Sequence, residues 1–162
     1  MTKKAGRPDL RPVRGKTLDE LEGVVAGEPP YDSHLVRTIY ALRKKPIGEF
    51  TTEDLRITIG QARGLPYLLP IALERLEADP LAEGDFYRGD LLMSVLAVEP
   101  HWGGSAEVRA RVRRVVERAL ERLARVRPAD WAAGEVPDPE QPDEFDRADL
   151  EPRLREALGT LS

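Results

Sequence analysis

Apolar side chains recur three and four positions apart along most of this chain, the pattern of helices with one buried face. Leu35, Val36, Ile39, Tyr40 and Leu42 mark one such face over residues 33–44, capped by Asp32 or Ser33 and ended by Pro46 and Gly48. Leu55, Ile57, Ile59 and Ala62 mark another, with Thr51 or Thr52 as cap and Glu53 and Asp54 in the first turn, where the helix dipole favours anions. The β-branched run Ile57-Thr58-Ile59 also suits a strand. Gly64 terminates this segment. Pro66 falls where a first helical residue belongs and Pro70 about one turn later, so the two prolines mark the entrance of a helix. Leu68, Leu69, Ala72, Leu73 and Leu76 line one face of it, Glu74, Arg75, Glu77 and Asp79 lie toward another, and Pro80 stops it.

AEGDFYRGD then reads as a turn built from Gly84, Asp85 and Gly89. Asp90 is placed to cap LLMSVLAV, a short run so apolar that it must be buried; Pro100 ends it and HWGG reads as a loop. From Ser105 to about Arg127 a long helix carries the stripe Val108, Val112, Val115, Ala119, Leu123 and Val126, closed by Pro128. Residues 134–143, GEVPDPEQPD, read as a Pro-rich acidic linker. Glu144 to Leu161 forms a last amphipathic segment, with Phe145, Leu150, Leu154, Leu158 and Leu161 as its apolar side and Pro152 kinking or splitting it. Nearer the start, Thr17 and Glu20 spell a capping box for a short turn stopping at Gly23, and GEPPYD is a rigid connector. Residues 1–16 hold six cations with little to bury and read as a mobile basic arm. The expectation is an all-α bundle of six or seven helices, a single domain over 17–162.

Charge changes the picture more than composition does. Residues 1–16 are net +5, 17–102 net −7, 103–127 net +5 and 128–162 net −7. With no cysteine there is no disulfide, thiolate metal site or cysteine nucleophile. The basic start lacks a following apolar segment, and the most apolar stretch, Leu65 to Leu73, is too short to span a bilayer, so a cytoplasmic protein is expected.

Catalytic chemistry is hard to find. His34 and His101 belong to no ligand or triad spacing, and GxSxG, GxxxxGKS and GxGxxG are absent. The acidic series Glu74, Glu77, Asp79, Glu83, Asp85 and Asp90 lacks calcium-loop spacing and names no hydrolytic pair. It reads as helix solubility plus caps, or as a binding face for a basic partner helped by Tyr67, Phe86 and Tyr87. The helix VRARVRRVVERALERLARVR raises nucleic-acid binding as an alternative function. Against it, Arg113 with Glu117 and Glu121 with Arg125 fall at i,i+4 and are placed to pair with each other, and the acidic tail is able to fold back on this helix. A helix–turn–helix over 52–77 fails because Glu74 and Glu77 would meet phosphate.

Three stretches carry a resemblance: RKKPIGEFTTEDLR, then IGQ followed by GLPYLLPIALE, then DPLAEGDFYRGDLL, all preceded by LDELEG. In wording and order, residues 17–98 resemble the bacterial contact-dependent growth inhibition immunity proteins. The family pattern has proline before GDLL; Arg88 stands there, a departure expected to loosen the turn. The resemblance implies a non-enzymatic cytoplasmic antidote that needs no metal or cofactor. It would bind the C-terminal domain of a cognate toxin, a nuclease among the possibilities, with net negative charge to steer a cationic face. Pairing in such systems is commonly specific, so variation outside the shared stretch is expected to choose the partner. The surface expected to meet the toxin is Tyr67, Glu74, Glu77, Asp79, Glu83, Asp85, Phe86, Tyr87 and Asp90.

Overall fold

The computed structural model describes residues 9–129, 131–136 and 138–162. Among them are nine α-helices and no strand, six of the helices being seven residues or longer. The all-α expectation therefore holds, and the six long helices are those the periodicity predicts.

The early elements are set by their caps. α1 (Arg11–Arg14) and α2 (Leu18–Glu22) are single turns. Thr17 Oγ1 accepts from the Glu20 amide at 3.2 Å while Glu20 Oε2 accepts from the Thr17 amide at 2.9 Å, and Gly23 closes α2 at φ 66°. The first eight residues of the expected basic arm lie outside the described residues. Of the rest, Leu10 and Val13 pack against the core and the Lys16 carbonyl accepts from the Ile47 amide at 2.9 Å, so this end of the arm is held. Ser33, not Asp32, caps α3 (His34–Leu42), its hydroxyl accepting from the Val36 amide.

A 3-10 turn over Ile47–Glu49 leads to α4 (Thr52–Gly60), which Thr51 caps with Asp54 in a second reciprocal box. The ITI run is helical: Ile59 and Thr58 are buried, and tertiary packing overrides the β preference. The helix ends at Gly60, earlier than expected, and Ala62 turns the chain at φ 53° before Gly64, itself left-handed, opens the next helix.

That helix, α5 (Leu65–Ala78), is the centre of the molecule. Leu68, Leu69, Ile71, Ala72, Leu73 and Leu76 are all buried. Pro66 stands in its first turn as expected, but Pro70 lies inside it; the one bond forgone there is the amide bond to the carbonyl of residue 66. α6 (Asp90–Ala97) packs on α4 and α5 through Leu91, Leu92 and Val95. Its cap is Gly89 at φ 86°, not Asp90, which becomes the first helical residue. HWGG is only partly loop: α7 (Glu99–Trp102) is a helical turn, with Trp102 buried and its Nε1–H donating to the Val95 carbonyl at 2.8 Å.

α8 (Ala106–Ala124) packs on α5 and, more extensively, on the last helix, and buries Val112, Val115, Val116, Ala119 and Leu123. α9 (Glu144–Thr160) folds back on α8 and buries Leu150 and Leu154, and it runs through Pro152 without splitting. Its apolar side differs from the expected one at one end: Phe145 is 74% exposed. Gly89 lets α9 come close, since a Cβ there would stand 3.2 Å from Leu150 Cδ1. No helix among the described residues is long and apolar enough to cross a membrane.

Candidate functional site

Packing α8 on α5 brings the basic block of the sequence onto the acidic one. Arg111, 6% exposed, donates from Nε and Nη2 to the two Glu77 carboxylate oxygens at 2.8 and 3.2 Å. Arg118 donates to the Glu77 carbonyl, and Arg122 pairs with Asp79 at 2.5 Å. About one turn before Glu77 on α5, Glu74 pairs with Arg14. Three carboxylates of the expected toxin surface are thus spent on joining helices. The same contacts occupy the helix that raised nucleic-acid binding: Arg109 holds Glu99 and the Thr160 carbonyl, and Arg113 pairs with Glu117 as its spacing predicts.

Asp90 is a fourth. It is 3% exposed and so is no surface residue. Its carboxylate accepts from the amides of Gly84 at 2.6 Å and Phe86 at 3.1 Å, with Tyr87 at 3.4 Å, and Arg56 Nε stands 3.7 Å away. A buried carboxylate is tolerated because these donors replace water. Its work is to wrap the loop 84–87 around the start of α6. Tyr67, half-buried, uses its hydroxyl on the Leu21 carbonyl at 3.1 Å.

What remains of the nine candidates is one loop. Glu83 and Asp85 are exposed, and among the described residues their carboxylates make no hydrogen bond or ion pair, though Asp85 lies near enough to Arg56 to favour its charge. Phe86 is 70% exposed and Tyr87 36%. The structure thus brings five candidates together, with Asp90 buried beneath the other four, and places Tyr67, Glu74, Glu77 and Asp79 elsewhere.

Residues that the spacing did not point to hold this loop. On α4, Arg56 is gripped by Glu53 through two 2.6 Å bonds, and its guanidinium carbon lies 4.2 Å from the Phe86 ring centre. Glu53 also accepts from the Asp85 amide at 2.9 Å. The Arg56 guanidinium, helped by that amide, keeps the Glu53 carboxyl below its ordinary value against the opposing cost of burial. On α9, Arg153 donates to the Tyr87 hydroxyl at 3.3 Å. Arg88 reaches Asp146 at 3.2 Å and the carbonyls of Pro139 and Glu140. Arg88 was expected to loosen the turn; it ties it down instead. The i,i+3 pairing of Glu53 with Arg56 was the one signal in the sequence for this support.

No group of three or more His, Cys, Asp or Glu able to hold a metal ion occurs among the described residues. A cavity of about 410 Å³ opens between the end of α8 and the acidic loop, lined in part by Arg125, Arg127, Glu135, Asp138 and Phe145. None of the nine candidates lines it.

The class so defined is a small helical scaffold that consumes most of its charge in its own packing and presents a braced aromatic loop. The chain belongs to the family of CDI immunity proteins, CDI being contact-dependent growth inhibition; the family model matches residues 20–112, more than half its length. Searches of curated proteins and of solved structures return no match.

Proposed function

We propose that this chain neutralises a cognate contact-dependent growth inhibition toxin by binding its C-terminal domain one to one, without catalysis, in the cytoplasm. The family match carries this reading. It is supported by the distribution of ionisable groups, which pair across helix joints rather than converge in a cleft. On this reading the bound face of the toxin is cationic, as that of a nuclease is, because the chain is net −4 and the exposed acids Glu83 and Asp85 sit on the same loop as exposed aromatic rings. Nucleic-acid binding by α8 is disfavoured by the carboxylates and carbonyls its arginines already hold.

Co-expression tests the reading. The toxin C-terminal domain encoded beside this gene should arrest growth alone, and growth should return when this chain is co-expressed. The two should co-purify as a one-to-one complex. Toxicity with neither rescue nor complex would remove the proposal.

A further inference from the structure

Three stretches of the described surface expose large apolar side chains without covering them: Val24, Val25, Tyr31 and Leu35 beside α3, Phe86 with Tyr87 on the loop before α6, and Val136 with Phe145 around the start of α9. Accepting the immunity reading, we infer that the second is the docking surface for the toxin domain, with Phe86 and Tyr87 as its anchors and a cationic protein face as its occupant.

Three observations favour this stretch. Each aromatic ring already lies near an arginine of the chain, Arg56 at 4.2 Å and Arg153 at 5.7 Å, so neither is a loose side chain awaiting burial. The backbone beneath them is fixed in advance by Asp90, which accepts from three amides of the loop, and by Glu53, which accepts from a fourth. A loop ordered before its partner arrives loses less freedom on binding, and rigid exposed aromatics are the side chains that dominate interface energies. Finally, the surroundings define the partner's charge. With the buried Asp90 left out, Glu53, Glu83, Asp85, Asp146 and Asp149 gather around the loop with Arg56, Arg88 and Arg153, a surplus of two carboxylates. The exposed Glu83 and Asp85 belong to the same loop, and a partner's Lys or Arg would reach them there. The α3 stretch is acidic too, with Asp32, Asp19 and Glu22 around Arg37 and Arg43, but among the described residues no arginine lies over its Tyr31 ring.

The test titrates the toxin C-terminal domain encoded beside this gene into purified full-length variants, each with its own thermal melt. Phe86→Ala with Tyr87→Ala should bind about a hundredfold more weakly, with the melt near that of the parent. Glu83→Lys with Asp85→Lys should bind at least about tenfold more weakly at low salt, and its affinity should depend less on salt than the parent's does. Val25→Ser with Tyr31→Ala should bind like the parent. If the aromatic pair lowers the melt, the lysine pair on the same loop decides. Unchanged affinity in both loop variants while the parent binds overturns this surface and leaves the immunity reading standing. A parent that does not bind overturns that reading, and the surface with it.

Discussion

The joint between α5 and α8 rests on one buried ion pair, and Glu77→Gln measures it. The substitution keeps the shape of the side chain and leaves Arg111, 6% exposed, facing an amide instead of a carboxylate. Removing one partner of a fully buried pair costs about 3–5 kcal/mol. The Glu77 side chain keeps 20% of its exposure, so water repays part of the loss, and about 2–3 kcal/mol is expected. In a domain of this length each kcal/mol moves the melting temperature by about 2–4 °C, which puts the fall at about 4–12 °C. Glu77→Leu combined with Arg111→Met removes both charges and should recover to within about 1 kcal/mol of the parent, because apolar packing substitutes well for a buried pair. Urea unfolding followed by circular dichroism reads all three proteins. The reasoning fails if Glu77→Gln lies within about 0.5 kcal/mol of the parent, or if the double variant is no better than the single one. It also fails as regards function if Glu77→Gln weakens toxin binding while keeping its stability, since that would return this carboxylate to the contact surface.

Acid should unfold the parent partly through Glu53. Its folded carboxyl titrates below the ordinary value of 4.5, so its stabilisation is complete above that pH and is lost as pH falls through the lower folded value; Glu53→Gln should flatten the acid limb of stability against pH, and an unchanged slope would refute the pairing with Arg56. Thr58 is 1% exposed with no partner for its hydroxyl, so Thr58→Val should stabilise by about 1 kcal/mol, read as a higher urea midpoint; a lower midpoint would mean the hydroxyl is satisfied. Gly89→Ala places a Cβ at φ 86° and 3.2 Å from Leu150, and should cost about 1–2 kcal/mol by the same measurement. A neutral result there would show that α9 yields easily.

How much of this was legible beforehand divides along a physical line. Helix faces and caps are local, and Thr17, Ser33 and Thr51 cap where short-range chemistry places them. The resemblance over 17–98 was legible too, in the wording of three stretches. Of the short helices α2 is announced by its capping box, but α1 and α7 escape the reading because a single turn such as Glu99–Trp102 shows no period. Phe145 misled because it lies on the apolar side that the spacing marks, yet stands in the first turn of α9, where it is 74% exposed. The acidic surface was over-read for a different reason. Glu77 finds Arg111 34 positions away and Arg14 finds Glu74 across 60, and no count along the chain registers such pairs. Asp90 looked like a cap because Asp commonly is one; the left-handed Gly89 took that place and turned the carboxylate inward to the loop amides.

Arg88 gives the loop an owner outside its own neighbourhood. The loop lies within the family-matched stretch, yet the groups that Arg88 grasps, the carbonyls of residues 139 and 140 and the carboxylate of Asp146, all lie beyond residue 112. So does Arg153, which holds Tyr87. Two sister chains with the same residues from 20 to 112 and different final helices would therefore share the hydrogen bonds from the loop amides to Asp90 and Glu53 but differ in what holds Arg88 and the Tyr87 ring. If the loop is the docking surface, inheritance of a new tail by recombination would change the brace and the charges around its rings in one step.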